Sequence, residues 1–168
     1  MHTCLELELS TMIPAAPAHA TPHAPIRVIV ADDHAGYLRA ITATLERAGI
    51  WVVAIAATGQ GAIDAIRSER PAIALVDLRM PGLSGTEVAA AMRRQVPETR
   101  VVILSAYAEQ DIVETAVQAG AFGYISKDST PGAIVAAITS CADGVPSLPA
   151  TLPVESRRLL SDLAIRRP

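Results

Sequence analysis

Three carboxylates, one hydroxyl and one ammonium stand in this sequence where apolar runs stop. Ile26-Arg27-Val28-Ile29-Val30-Ala31 leads into Asp32-Asp33, and Ala72-Ile73-Ala74-Leu75-Val76 leads into Asp77. Val101-Val102-Ile103-Leu104 leads into Ser105, and Phe122-Gly123-Tyr124-Ile125-Ser126 leads into Lys127. A carboxylate that ends a buried strand before a Pro/Gly turn, here Met80-Pro81-Gly82, sits where open α/β sheets place their chemistry. The five side chains therefore have a route to one edge of one sheet.

Gathered there, Asp32, Asp33 and Asp77 repel one another. Two unit charges about 4 Å apart cost about 4 kcal/mol at an effective dielectric near 20. A counter-charge is needed, and an all-oxygen donor set favours Mg²⁺, with Mn²⁺ as a substitute. Lys127 adds positive charge. It is the single lysine among 14 basic residues, in a chain that otherwise uses arginine. An ammonium is a point charge on a flexible stem, whereas a guanidinium is a planar fork. A metal-bound carboxylate at a strand end can attack phosphorus to give an aspartyl phosphate, with Ser105 donating to a phosphoryl oxygen.

The elements that must position these groups alternate from Ile26 onward. Strand patterns end at Ala31, Ala56, Asp77, Ser105 and Ser126. Helical spacing follows each of them: Leu38, Ile41, Thr42 and Leu45; Ala62, Ile63 and Ile66 within Gly61 to Arg70; Val88, Ala89 and Met92 within Thr86 to Arg94. Ile112, Val113, Ala116 and Val117 mark a helix over Glu109 to Gln118, and a last one spans about Pro131 to Ala142. Five βα units with continuous apolar strands imply an α/β fold, a doubly wound five-stranded parallel sheet covered on both faces.

Composition narrows the function classes. A formal charge of -3 gives no reason to expect nucleic-acid binding by this chain itself. No apolar run is long enough for a membrane span, and Cys4 and Cys141 form neither a disulfide framework nor a metal-ligand spacing, which suits a cytoplasmic protein. Residues 1–25 read as a disordered leader, Ala/Pro/His-rich and without the basic start of a signal peptide, and Met12 is a second candidate start. Residues 26–142 form the expected domain. Residues 143–168 read as a Pro/Gly linker and an amphipathic helix over Val154 to Ile165, whose Arg157 and Arg158, with Arg166 and Arg167 beyond, belong to a solvated face.

Asp32-Asp33, Asp77, Ser105-Ala106 and Lys127, in this order at four strand ends, resemble the response-regulator receiver family of two-component systems. The likeness covers Ile26 to about Ala142 and extends to Pro81, Gly85 and Tyr124. Singly, Asp33 reads as a helix cap, Asp77 as a turn former, Ser105 as a strand-end hydroxyl, Tyr124 as a core aromatic and Lys127 as a surface lysine. The joint pattern carries the resemblance.

The resemblance implies a flavodoxin-like strand order of 2-1-3-4-5 and a phosphoryl group passed to Asp77 from a sensor histidine kinase or phosphotransfer protein. It implies Mg²⁺ held by Asp33, Asp77 and the backbone carbonyl of Arg79, with Asp32 holding the metal's waters. Asp77, Ser105 and Lys127 would carry the catalysis, with Ser105 and Tyr124 as the switch. Ser105 moves toward the phosphoryl group and the aromatic at Tyr124 turns inward, shifting the population between two packings. Arg79 and Tyr107 would flank the phosphoryl group and tune its hydrolysis. His34, beside the acidic pair, is placed at the rim and outside the site. Such a protein catalyses its own phosphoryl transfer and dephosphorylation while acting chiefly as a switch.

Competing classes fit less well. An aspartate-nucleophile phosphatase of the haloacid dehalogenase type needs a second acid where Arg79 stands, and no glycine-rich phosphate loop occurs. An inert pseudo-receiver that only binds a partner normally lacks some of the four parts, and none is missing here. Lys127-Asp128 and Asp77-Leu78-Arg79-Met80-Pro81-Gly82 are similar to the NarL/FixJ subfamily, in which such a linker leads to a helix-turn-helix domain. The expected output is therefore transcriptional in a longer protein. The alternative is a stand-alone receiver acting through protein contacts or as a phosphate sink. A homodimer through the first and last helices or the fourth-helix face is also open.

Overall fold

A computed structural model describes residues 24–166, so the leader expected over residues 1–25, Cys4 and Met12 included, lies almost wholly outside the described residues. From Arg27 the chain alternates strands β1 (Arg27–Ala31), β2 (Trp51–Ala56), β3 (Ile73–Asp77), β4 (Arg100–Ser105) and β5 (Gly123–Ser126) with helices. The helices are α1 (Ala35–Arg47), α2 (Gly59–Glu69), α3 (Gly85–Gln95), α4 (Gln110–Ala119), α5 (Pro131–Ala142) and α6 (Val154–Ile165). All neighbouring strands are parallel, in the order β2-β1-β3-β4-β5. This is the doubly wound sheet expected from the sequence.

Central β3 is buried at every residue because helices cover both of its faces. Contacts link α1 with α5, and α2, α3 and α4 in succession. Burying a side chain such as Ile73, Leu75 or Ile103 contributes about 1.5–3 kcal/mol, so the core holds the strand ends in place. The strand order reverses between β1 and β3 while all strands stay parallel, which opens a crevice outside their carboxyl ends.

Local sequence starts the helices. Thr58 Oγ1 accepts the Gly61 N–H, and Thr130 Oγ1 accepts the Ala133 N–H with Pro131 in the first turn of α5. Ser84 and Glu87 close a reciprocal capping box at α3. Thr58 draws the start of α2 back to Gly59, two residues before the start expected at Gly61.

Helices cover both faces of the sheet, more thinly at edge strand β2, where Trp51 and Ile55 are 57% and 59% exposed, since one neighbour and partial helix cover leave that side open. One expectation is corrected. Arg158 and Arg166 are solvated as expected, but Arg157 is half-buried, because α6 turns back onto α4 through Leu160 and Ala164. Arg167 lies outside the described residues. Before α6 the chain passes the opposite edge, where the Ser147 carbonyl accepts the Tyr124 N–H at 2.8 Å and satisfies an edge donor of β5. Among the described residues no helix is long and apolar enough to cross a membrane.

Candidate phosphoacceptor and metal site

The parallel register carries the sequence-level site residues to one edge. Ala31 pairs with Val76, Asp77 with Leu104, and Ser105 with Ser126. Asp32, Asp77, Ser105 and Lys127 thus emerge side by side from four adjacent strands. Asp32, Asp77 and Ser105 are buried at 1%, 6% and 2% exposure. Lys127 reaches back across the edge, its Nζ 2.6 Å from Asp32 Oδ2 and 3.1 Å from Asp77 Oδ1.

The charge balance is uneven. Burial pushes the Asp77 carboxyl above its ordinary range, Lys127 pulls it down, and Asp32 adds to the rise. Burial alone would lower the Lys127 ammonium, yet its hydrogen bonds to Asp32 and Asp77 leave it raised. Two buried carboxylates face one ammonium, and Asp33 adds a third carboxylate at the rim. Asp32, Asp33, His34 and Asp77 each bring one donor atom within 4.8 Å of the others, a cluster able to hold a metal ion. Its carboxylate donors fit a hard divalent cation.

His34, set at the rim in the sequence reading, is indeed 73% exposed, but its Nδ1 lies 2.9 Å from Asp33 Oδ1 and 3.4 Å from Asp32 Oδ1. Its position directly after the acidic pair was the available signal. No sequence signal marks Tyr37, half-buried one turn into α1, whose ring centroid lies 4.6 Å from Lys127 Nζ. On the far side, the Arg79 guanidinium lies 4.2 Å over the Tyr107 ring. Ser105 Oγ accepts the Tyr107 N–H at 3.1 Å, and the Tyr124 hydroxyl donates to the Tyr107 carbonyl. Tyr124 is buried, at 1% exposure.

The turn after Asp77 needs two glycines. Gly82 has φ +80, the left-handed region that a side chain resists. At Gly85 an added Cβ would lie 2.5 Å from the Asp77 carbonyl oxygen and 3.0 Å from Ile103 Cδ1. Gly85→Ala should therefore lower stability by about 1–3 kcal/mol, the usual cost of overpacking, and displace the strand end that carries Asp77. Urea unfolding midpoints measure it, and a midpoint equal to wild type would show that the turn yields freely.

Comparison with known proteins identifies the family. The response regulator receiver domain family matches residues 28–139. "Probable transcriptional regulatory protein NarL" of Mycobacterium tuberculosis is 40% identical over 144 residues, 83% of this chain and 67% of that protein. "Transcriptional regulatory protein MctR" of Rhizobium johnstonii is 35% identical over 125 residues, 74% of this chain and 58% of that protein. The chain thus spans about three-fifths to two-thirds of these curated relatives' length. The solved signal receiver domain of NarL from Mycobacterium tuberculosis superposes with a TM-score of 0.70 at 41% identity, covering 71% of this chain and 98% of that one.

Proposed function

The chain belongs to the response regulator receiver domain family, phosphoacceptors of two-component signalling, and from that premise we propose that Asp77 is the residue phosphorylated. The observation that carries the assignment is the buried Asp77 carboxylate at the end of central β3, with the Lys127 ammonium 3.1 Å away inside the acidic cluster. An Asp77 oxygen attacks phosphorus as the bond from phosphorus to the donor's imidazole nitrogen breaks, and that nitrogen keeps the electron pair and takes a proton. Hydrolysis reverses the gain: water adds to phosphorus, and the carboxylate and inorganic phosphate separate.

Each side chain has a role in this step. Lys127 meets charge on the phosphoryl oxygens, and Ser105 donates to one of them. Asp33, Asp77 and the Arg79 carbonyl would hold Mg²⁺, or Mn²⁺ in its place, with Asp32 acting through water. When bound, the cation supplies charge that offsets both carboxylates and phosphoryl oxygens. Arg79 and Tyr107, stacked at the rim, would flank the group and tune its hydrolysis.

The donor is the phosphohistidine of a sensor kinase or phosphotransfer protein. The output is transcriptional control in a longer protein, supported by the names of the relatives. Incubation with acetyl phosphate and Mg²⁺ should add one phosphoryl group, recovered on the peptide carrying Asp77, and a chelator should prevent it. Mg²⁺ at about 100 times its dissociation constant should add about 2.7 kcal/mol of stability. A protein that gains no mass under these conditions would overturn the assignment.

A further inference from the structure

All three tyrosines of the chain stand around this pocket: Tyr107 under Arg79, Tyr124 behind Ser105, and Tyr37 against Lys127. The first two follow from the switch and the rim. Tyr37 does not. An ammonium carries three N–H donors, and Lys127 spends two on Asp32 and Asp77 at 2.6 and 3.1 Å. The face of the Tyr37 ring, 4.6 Å from Nζ, offers the charge a third favourable surface. Beside it lies a cavity of about 160 Å³ lined by Tyr37, Ile41, Thr44, Lys127, Ser129 and Ile134, room into which the flexible lysine stem can swing. We propose that Tyr37 is a positioning residue for the phosphoryl-transfer site, its ring face holding the Lys127 ammonium over Asp32 and Asp77 rather than letting it fall back into that cavity. This rests on the function proposed above and assigns a determinant of how tightly the phosphoryl group is met.

The chemistry of the ring supports it. Burial, with Asp32, Asp77 and Asp128 adding to it, pushes the phenol up to about 12, so the ring is neutral wherever the site operates. The hydroxyl is buried and has no hydrogen-bond partner among the described residues. The face of the ring, not its oxygen, is therefore what the site uses, and phenylalanine should replace it.

The single lysine makes this testable, because lysine labelled with ¹³C gives one set of side-chain NMR signals. Wild type and Tyr37→Phe should both show Lys127 methylene protons shifted upfield by the ring. They should also bind beryllofluoride, a phosphoryl mimic, equally in saturating Mg²⁺. Tyr37→Leu should lose the upfield shift and weaken beryllofluoride binding by about tenfold, with Mg²⁺ affinity alone within twofold of wild type. A purely structural role would weaken both ligands together. If the leucine variant does not fold, Tyr37→Met, of similar length and without a π face, carries the comparison. Wild-type shifts and beryllofluoride affinity in the non-aromatic variants would overturn the proposal, as would a phenylalanine variant impaired like leucine. A wild-type protein that binds no beryllofluoride would instead count against the phosphoacceptor reading, and the lysine shifts would still report the contact.

Discussion

Asp77→Asn should take up no phosphoryl group from acetyl phosphate, and without Mg²⁺ it should be more stable than wild type at neutral pH. The two effects have one cause. Asp77 is 6% exposed and shares one ammonium with the still more buried Asp32, so the ionised pocket carries an excess negative charge. The amide removes that charge, while Asp32 keeps Lys127 at 2.6 Å. Relieving a poorly compensated buried charge is worth about 1–3 kcal/mol.

The pH dependence gives the sign. Burial raises the Asp77 carboxyl above its ordinary 3.8, so between the unfolded and folded values the folded state binds more protons. Wild-type stability from this group is therefore greatest below about 3.8 and declines as pH rises through the folded value. The advantage of asparagine should open over that window and close in stronger acid. Saturating Mg²⁺ should narrow or reverse it, since wild type has the ligand that the variant lost. Urea midpoints at several pH values, with and without Mg²⁺, read all of this. A variant less stable than wild type at pH 7 in chelator would contradict the charge balance, and one that still gains a phosphoryl mass would remove Asp77 from its role.

Much of this site was legible in the sequence because each strand end is marked by a residue unlike the run before it. Asp32, Asp77, Ser105 and Lys127 interrupt apolar strands, and parallel pairing alone then brings them to one edge. The bounds of β2, α5 and α6 fall where pattern and breakers put them. Strand order came from family resemblance, because period 2 or 3.6 identifies an element and not its neighbour. What stayed hidden depends on packing between distant segments. Tyr37 looks like an ordinary helical aromatic until Lys127 arrives from β5. Continuous apolarity in Trp51 to Ala56 resembles that of β3, yet β2 is an edge and β3 is central. Arg157 reads as solvated until α6 folds onto α4.

Lys127→Met should show the converse of Asp77→Asn: a large loss of stability together with a loss of phosphorylation. The lysine side chain is 16% exposed, and its removal leaves the 1% and 8% exposed side chains of Asp32 and Asp77 without their ammonium. Breaking such a pair costs about 3–5 kcal/mol. The loss should shrink in acid, as the stranded carboxylates take up protons, and shrink again in Mg²⁺. Wild type has an alkaline limb that methionine lacks. The raised Lys127 ammonium contributes fully below its ordinary 10.5, and that contribution fades as pH climbs through the folded value. Lys127→Arg separates charge from shape. A guanidinium restores the positive charge and so recovers most of the stability. Its planar fork cannot make the same point contact between two carboxylates and an incoming phosphoryl oxygen, so labelling and the switch response stay impaired. Arginine with wild-type labelling and wild-type partner affinity would show that the pocket needs only a positive charge. Methionine with wild-type stability at pH 7 in chelator would show that the carboxylates are not relying on the ammonium at all.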